Sequence, residues 1–359
     1  MKKYLIRAAV LLLLFALCFT WLQGILHYRW AGNEDLYTRN VRYSQASGDS
    51  IDVLCLGTSE LYAAYNPMAA YESAGVTGYN FAISFRCAMT AYYQLLYALE
   101  YQTPDVVICD FVCLFDDMLP SQQEGIYRKV VECMPDKALK EQMIREICAV
   151  DSTQSYLSWK LPLLRYHTMW SELYAENFQP DRRVDSSYPA YQKGAMFNES
   201  QFSGPPETIT PELWDHEESI ETFSDFSVGY YDKIIDLCKS RGITVVAVTP
   251  PKINDAAFYA ANNEKLRAYF ESREIPYLNY CTYDQVQRLG LTFAEHYYDR
   301  SHLNVDGSIV FSQALVRDLS ELVPLEDHRA DPAYAAEWTD ILPEYRQYLE
   351  DLAARRAQN

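Results

Sequence analysis

Two short stretches hold residue types whose spacing suits nucleophilic chemistry. The first is Leu56-Gly57-Thr58-Ser59-Glu60, directly after the apolar run Ile51–Gly57. A serine that ends a buried strand and opens a helix lies where open α/β sheets bind ligands, and the helix N-terminus favours developing negative charge. The same position also suits a plain helix N-cap for Thr58 or Ser59. The second is Tyr298-Asp299-Arg300-Ser301-His302-Leu303-Asn304-Val305-Asp306-Gly307, just before the final long amphipathic stretch. Histidine is scarce, six in 359 residues, and an Asp three residues before a His in a turn can hold the imidazole tautomer. A loop histidine satisfied by a nearby acid is the plainer reading. Taken together, the stretches supply a hydroxyl nucleophile, a base and an acid to orient that base.

The elements that must bring them together read as alternating strands and helices. Apolar runs at 51–57, 78–84, 105–115, 242–251 and 276–280 predict buried strands. Helical periodicity over about 86–100, 226–240, 255–272 and 305–322 predicts the covering layers. This alternation implies a three-layer α/β/α unit around a central parallel sheet, flavodoxin-like in class. The rhythm breaks over about 120–225, read as a helical and loop-rich insertion with helices near 135–149 and 152–177. The expected domains are 1–30 as cytoplasmic start and transmembrane anchor, 31–50 as a linker, 51–324 as the α/β unit with its insertion, and 325–359 as a charged tail forming one helix. In a parallel sheet, the loop after the first strand and the loop before the last helix can converge at one edge.

The resemblance these residues carry is to the SGNH, or GDSL, hydrolase superfamily. Gly57-Thr58-Ser59 resembles its first block, and Asp299-Arg300-Ser301-His302-Leu303-Asn304 with Gly307 resembles its last. The likeness spans roughly 51–322. It implies Ser59 as nucleophile, His302 as base and Asp299 as its orienting partner. Tyr79-Asn80-Phe81-Ala82-Ile83-Ser84-Phe85 resembles the second block, which implies Phe85 as the backbone oxyanion donor and Asn80 as a strand-end residue of that site. Val112-Cys113-Leu114-Phe115-Asp116 stands where the third block carries an asparagine, so that side-chain donor is missing, with Arg86 the candidate replacement. Losing one oxyanion donor typically costs about 100–1000-fold in rate.

Residues Ala8–Leu26 are uncharged, near the ~20 residues a helix needs to cross the hydrocarbon core. Lys2, Lys3 and Arg7 before them predict a cytoplasmic N-terminus, with Trp21, Tyr28 and Trp30 at the outer interface. A cleavable signal peptide is the rival, but no small-x-small cleavage pattern follows, and Leu17 before Cys18 does not suit a lipoprotein site. The reading is a cell-membrane protein, single-pass, with its C-terminal part extracytoplasmic. The departures from the motif, together with this anchor, resemble membrane-anchored branches of the superfamily: cell-surface O-acyltransferases, esterases and teichoic-acid D-alanylation proteins. That implies a cell-surface glycan or cell-wall polymer as substrate and a multi-pass membrane O-acyltransferase as partner.

Composition narrows the rest. Thirty-one Lys and Arg against 49 Asp and Glu leave −18, which argues against nucleic acid. Beyond the anchor, where Lys2, Lys3, Arg7 and Arg29 no longer count, 27 against 49 leave −22. No Walker loop, GxGxxG or Cys/His metal spacing occurs, so no cofactor and no metal are expected. Cys55, Cys109 and Cys113 read as small buried residues. Asp116 and Asp117 read as a solvated loop. Thr249-Pro250-Pro251-Lys252 ends a strand and is expected to line the pocket, with Lys252 either a substrate contact or, more commonly, a surface lysine. The aromatics Tyr156, Trp159, Trp170, Tyr174, Tyr188 and Tyr191 suit either packing or stacking on sugar rings.

Overall fold

The structure is a computed structural model that describes residues 2–26, 35–46, 48–173, 175–178, 184–204 and 207–358. Tyr28, Trp30 and Tyr174 lie outside the described residues. The chain divides into two compact units. One comprises residues 1–38 and 119–186, the other residues 39–118 and 187–359.

The second unit is built on five short strands. These are β1 (Val53–Leu56), β2 (Gly78–Asn80), β3 (Val106–Cys109), β4 (Thr244–Thr249) and β5 (Tyr277–Asn279), in spatial order β2-β1-β3-β4-β5. Every pairing is parallel. β1 and β3 bury every side chain, as a sheet covered on both faces requires. The helices sort into two groups: Ala88–Ala98 packs with Asp225–Ser240, and Val305–Ser320 packs with Ser59–Ala64 and Pro67–Ala74. This is the three-layer α/β/α arrangement the apolar pattern predicts. The strand order reverses between β1 and β3, so the carboxyl end of β1 opens onto the crevice where such sheets bind ligands.

Several elements are shorter than their apolar runs. The run at 78–84 is strand only to Asn80, whose side chain turns the chain: its amide donates to the Leu61 and Tyr65 carbonyls, and its oxygen accepts from Ala82 N–H. The run at 105–115 leaves the sheet after Cys109. Phe111 adopts φ 49°, and Val112–Phe115 coils into a 3-10 turn. Residues 31–50 are not a plain linker. Leu36–Gln45 is a helix, and its Arg39, fully buried, donates to the carbonyls of Asn80 and Ala82 while lying over the Tyr62 ring.

The insertion expected over 120–225 is split. Residues 119–186 group with the N-terminal helix, whereas 187–225 belong to the sheet-bearing unit. The tail is not one helix: turns at His328–Ala330 and Thr339–Ile341 and a short helix, Pro332–Ala335, precede Leu342–Ala357. His328 Nε2 lies 3.1 Å from Asp52 Oδ1, and Trp338 is fully buried against Tyr71, so the tail seals the core near the start of β1.

The first unit contains the helix Lys2–Ile25, long and apolar enough to cross a membrane; a signal sequence passes the same test. Its other elements are the helices Glu124–Cys133, Lys137–Val150, Tyr156–Lys160 and Pro162–Tyr166, with 3-10 turns at His167–Glu172 and Ala175–Phe178. The helix expected over 152–177 is interrupted at Pro162, which has no N–H to continue the ladder. Arg128 organises the unit: Nε reaches Glu124 Oε1 at 2.6 Å, Nη2 reaches Ser158 Oγ at 3.0 Å, and the guanidinium covers the Trp159 ring.

Candidate functional site

Gly57 follows β1 at a close approach: a Cβ there would stand 2.8 Å from Asp110 Oδ2. The tight turn brings Thr58 onto the same carboxylate, its N–H at 2.5 Å and its hydroxyl at 2.7 Å from Asp110 Oδ2. Thr58 therefore holds the N-cap position of the helix Ser59–Ala64 without capping it through its side chain, and Ser59 is the first helical residue. Neither hydroxyl is spent as a cap. Ser59 N–H, in the first turn, has no intrahelical acceptor.

Ser59 Oγ lies 2.8 Å from His302 Nε2. On the far side of the ring, His302 Nδ1 lies 2.9 Å from both Asp299 oxygens. The carrying loop is closed by an antiparallel bridge between Tyr297 and Leu303. Asp299 Oδ1 accepts the N–H groups of Ser301 (2.7 Å) and His302 (2.9 Å), which fixes the carboxylate against its own turn. The Tyr298 ring stacks on the imidazole at 5.2 Å and 7°. Asn304 anchors the loop from behind: its oxygen accepts Gly307 N–H as the cap of the helix Val305–Ser320, and its amide donates to Glu295 O. A Cβ at Gly307 would meet His296 O at 2.2 Å, so only glycine allows this crossing. Residues 243 apart in sequence thus stand in one hydrogen-bonded line, Ser59–His302–Asp299.

Charge around this line is unevenly distributed. Burial draws the Asp299 carboxyl upward, but hydrogen bonds from the His302 ring and from the Ser301 and His302 backbone outweigh it, so the group stays below the usual carboxylate range. Asp110 has the opposite balance. Burial, then Glu60, push it up to about 6 against the hydrogen bonds from Thr58 and Val112. Beside it, Lys252 Nζ pairs with Glu60 Oε1 at 2.6 Å and lies 4.1 Å from the Tyr259 ring centroid. Lys252 is 2% exposed, so it is a buried counter-ion and not the surface lysine that its place after two prolines suggests. Burial alone lowers its pKa, but Glu60 and Tyr259 reverse that and hold the ammonium form. Glu60 Oε2 is buried with no protein partner among the described residues.

The loop after β2 comes up beside Gly57. Ile83 N–H donates to Gly57 O at 3.0 Å. Phe85 adopts φ 53° and exposes 66% of its surface. A left-handed conformation suits glycine, and for another residue costs roughly 1–2 kcal/mol. Arg86 corrects one expectation. It does not reach the site as an oxyanion donor: its Nε donates to Gly57 O at 3.1 Å, and its Nη2 to Phe81 O. Burial, with Arg39 nearby, lowers its pKa to about 10. Arg86 is the staple of the loop. Asn80 likewise spends its amide on backbone carbonyls and acts at the strand end.

Three participants escaped sequence reasoning. Asp110 was absorbed into an apolar strand, although an acid closing Val-Val-Ile-Cys at the carboxyl end of a buried strand is a usable signal. Glu60 and Tyr298 carried none, because their roles depend on contacts with Lys252 and His302. Among the aromatics weighed for sugar stacking, Trp159 and Tyr191 are core residues, the latter packed on Phe197 and Tyr348, whereas Trp170 is exposed. Among the described residues no cluster of His, Cys, Asp and Glu suits a metal ion.

No family model matches this sequence, and no curated protein matches it. Solved structures that align with it include one described as a "putative acylhydrolase" from Bacteroides fragilis NCTC 9343. That alignment has a TM-score of 0.36 and 11% identity, and covers 79% of this chain and 94% of the other. Another is a GDSL-like lipase from Bacteroides thetaiotaomicron VPI-5482, with a TM-score of 0.36 and 12% identity, covering 80% of this chain and 98% of the other.

Proposed function

We propose that this chain is an SGNH-type serine enzyme, anchored in the membrane by its N-terminal helix, that performs acyl-ester chemistry on a cell-surface polysaccharide outside the cytoplasm. The observation that carries this reading is the 2.8 Å contact from Ser59 Oγ to His302 Nε2, with Nδ1 of the same ring against Asp299. In the proposed reaction, Ser59 Oγ attacks the ester carbonyl while His302 Nε2 takes its proton. The N–H groups of Ser59 and Phe85 receive the developing oxyanion, and Asp299 steadies the imidazolium. Collapse breaks the ester C–O bond, and His302 returns the proton to the departing alcohol. The acyl-Ser59 ester then passes its acyl group, acetyl in the simplest case, to a glycan hydroxyl or to water, with His302 again the base.

Transfer and hydrolysis share every step up to the acceptor. The test common to both is fluorophosphonate labelling of the full-length protein in detergent or nanodiscs. Labelling confined to Ser59, and lost in Ser59→Ala and His302→Ala, is the expected result. Labelling unchanged in Ser59→Ala overturns the reading. Release of acetate from an acetylated glycan without any partner protein identifies a plain esterase, whereas acylation of the glycan only with a membrane O-acyltransferase present identifies transfer. The lack of a side-chain amide over Val112–Asp116 favours a second reading, a non-catalytic adaptor that hands substrate to such an acyltransferase. In that case Ser59→Ala retains full cellular function.

A further inference from the structure

We infer that residues 156–173 and 175–178 form a membrane seat, a collar of short helices and turns lying in the outer headgroup layer of the bilayer that the N-terminal helix crosses. This rests on the proposed anchoring, and adds that the first unit is itself an interfacial membrane-binding surface. At about 1.5 Å per residue, the uncharged run Ala8–Leu26 extends about 27 Å along the helix axis, close to the ~30 Å thickness of the hydrocarbon core, so its last turn lies near the outer edge. The helix changes environment at the same level. Its side chains are exposed almost throughout up to Trp21, then Leu22 and Gln23 are half-buried and Ile25 and Leu26 buried.

The partners in that last stretch come from the collar. Trp21 meets the Phe178 ring at 6.5 Å, Gln23 Oε1 accepts Leu163 N–H at 2.5 Å, and Asn177 Nδ2 donates to Ile25 O at 3.1 Å. The depth of the helix thus sets the depth of the collar, at the far edge of the core. The collar's exposed side chains suit that level. Trp170 is 70% exposed, and Leu157, Leu164 and Phe178 each exceed half exposure. Tryptophan prefers the headgroup layer, where its ring is half in and half out of the apolar phase.

Charge is compatible with the same occupant. In a protein carrying −18, residues 156–178 balance Lys160 and Arg165 against Glu172 and Glu176, and Lys160 and Arg165 pair with Glu141 and Glu124. A stretch so near neutrality, beside exposed leucines and a tryptophan, fits a zwitterionic headgroup layer.

The test places the full-length protein in nanodiscs containing lipids with a nitroxide near the headgroup or deep in the acyl chain. Trp170 emission is taken as the difference between the wild type and Trp170→Phe. The expected result is at least about twofold quenching of that component by the shallow probe, weaker quenching by the deep probe, and little by aqueous acrylamide, as an interfacial ring requires. Free quenching by acrylamide with indifference to both lipid probes overturns the seat. So does shielding from all three quenchers, which means that protein, such as a second copy, covers the ring. The corresponding difference with Trp21→Phe reports the anchor separately. Lipid quenching of Trp21 without quenching of Trp170 defeats the seat and leaves the anchor standing; no lipid quenching of Trp21 defeats the anchor.

Discussion

Replacing Asp299 with asparagine tests the proposed chemistry most sharply, because the change is nearly isosteric and its consequence follows from the hydrogen bonds. In Asp299, Oδ1 accepts both backbone N–H groups of its turn, and both oxygens face His302 Nδ1. In Asp299→Asn the amide oxygen must keep those backbone donors, which turns the NH₂ group toward Nδ1. That group can only donate, so Nδ1 becomes an acceptor and the proton moves to Nε2. Nε2–H then donates to Ser59 Oγ and no longer withdraws its proton. The wrong tautomer costs a triad on the order of 10³- to 10⁴-fold in rate, or about 4–5.5 kcal/mol of barrier. Asp299 is 46% exposed on its side chain, so solvent screens its charge, and the loss comes mainly from orientation. The assay is the second-order rate of fluorophosphonate inactivation at neutral pH, with thermal unfolding as a control. The expected outcome is a loss of at least about 1000-fold with the unfolding midpoint nearly unchanged. Inactivation within about tenfold of wild type would refute tautomer control by Asp299.

Two other variants probe the buried charges behind the nucleophile. Lys252→Met leaves the Glu60 carboxylate buried without its 2.6 Å partner, and should cost about 3–5 kcal/mol. The double variant Lys252→Met with Glu60→Leu should recover most of this in chemical unfolding, and failure to recover it would mean that the ion pair is not the source of the loss. Asp110, raised to about 6 from an ordinary 3.8, holds its proton in the folded state over a pH range where the unfolded chain has lost it. Stability therefore falls as pH rises from about 4 to about 6 and levels off above that. Asp110→Asn should flatten this slope, since its amide oxygen can still accept from Thr58; a slope unchanged between pH 4.5 and 7 counts against the assignment.

Much of the architecture was legible because burial on both faces leaves a plain mark. Val53–Leu56, Val106–Cys109 and the centre of Thr244–Thr249 are apolar at every position, since a parallel strand covered by helices has no solvent side. Strand ends were less legible. The runs at 78–84 and 105–115 stay apolar after the ladder stops, because residues such as Phe81 and Phe111 are buried by packing outside the sheet. Where the chain turns is decided by Asn80 and by the left-handed Phe111, through contacts that local composition does not encode.

The candidate site shows the same division. A small turn after a strand and an Asp-x-x-His before a helix are local patterns that marked Ser59, Asp299 and His302 as candidates, and the resemblance to SGNH hydrolases implied their roles. Their separation of 2.8–2.9 Å was set by the tertiary structure, through packing of the helix Val305–Ser320 on the helix Ser59–Ala64 that follows β1. Roles fixed by partners far along the chain were likewise invisible beforehand. Arg86 has the charge of an oxyanion donor but is consumed by the carbonyls of its own loop, and Lys252 has the look of a surface residue but is buried by Glu60 and Tyr259. A side chain's type is written in the sequence, but its hydrogen-bonding capacity is spent on whatever neighbours the fold supplies, and only the folded chain decides which groups remain free to act.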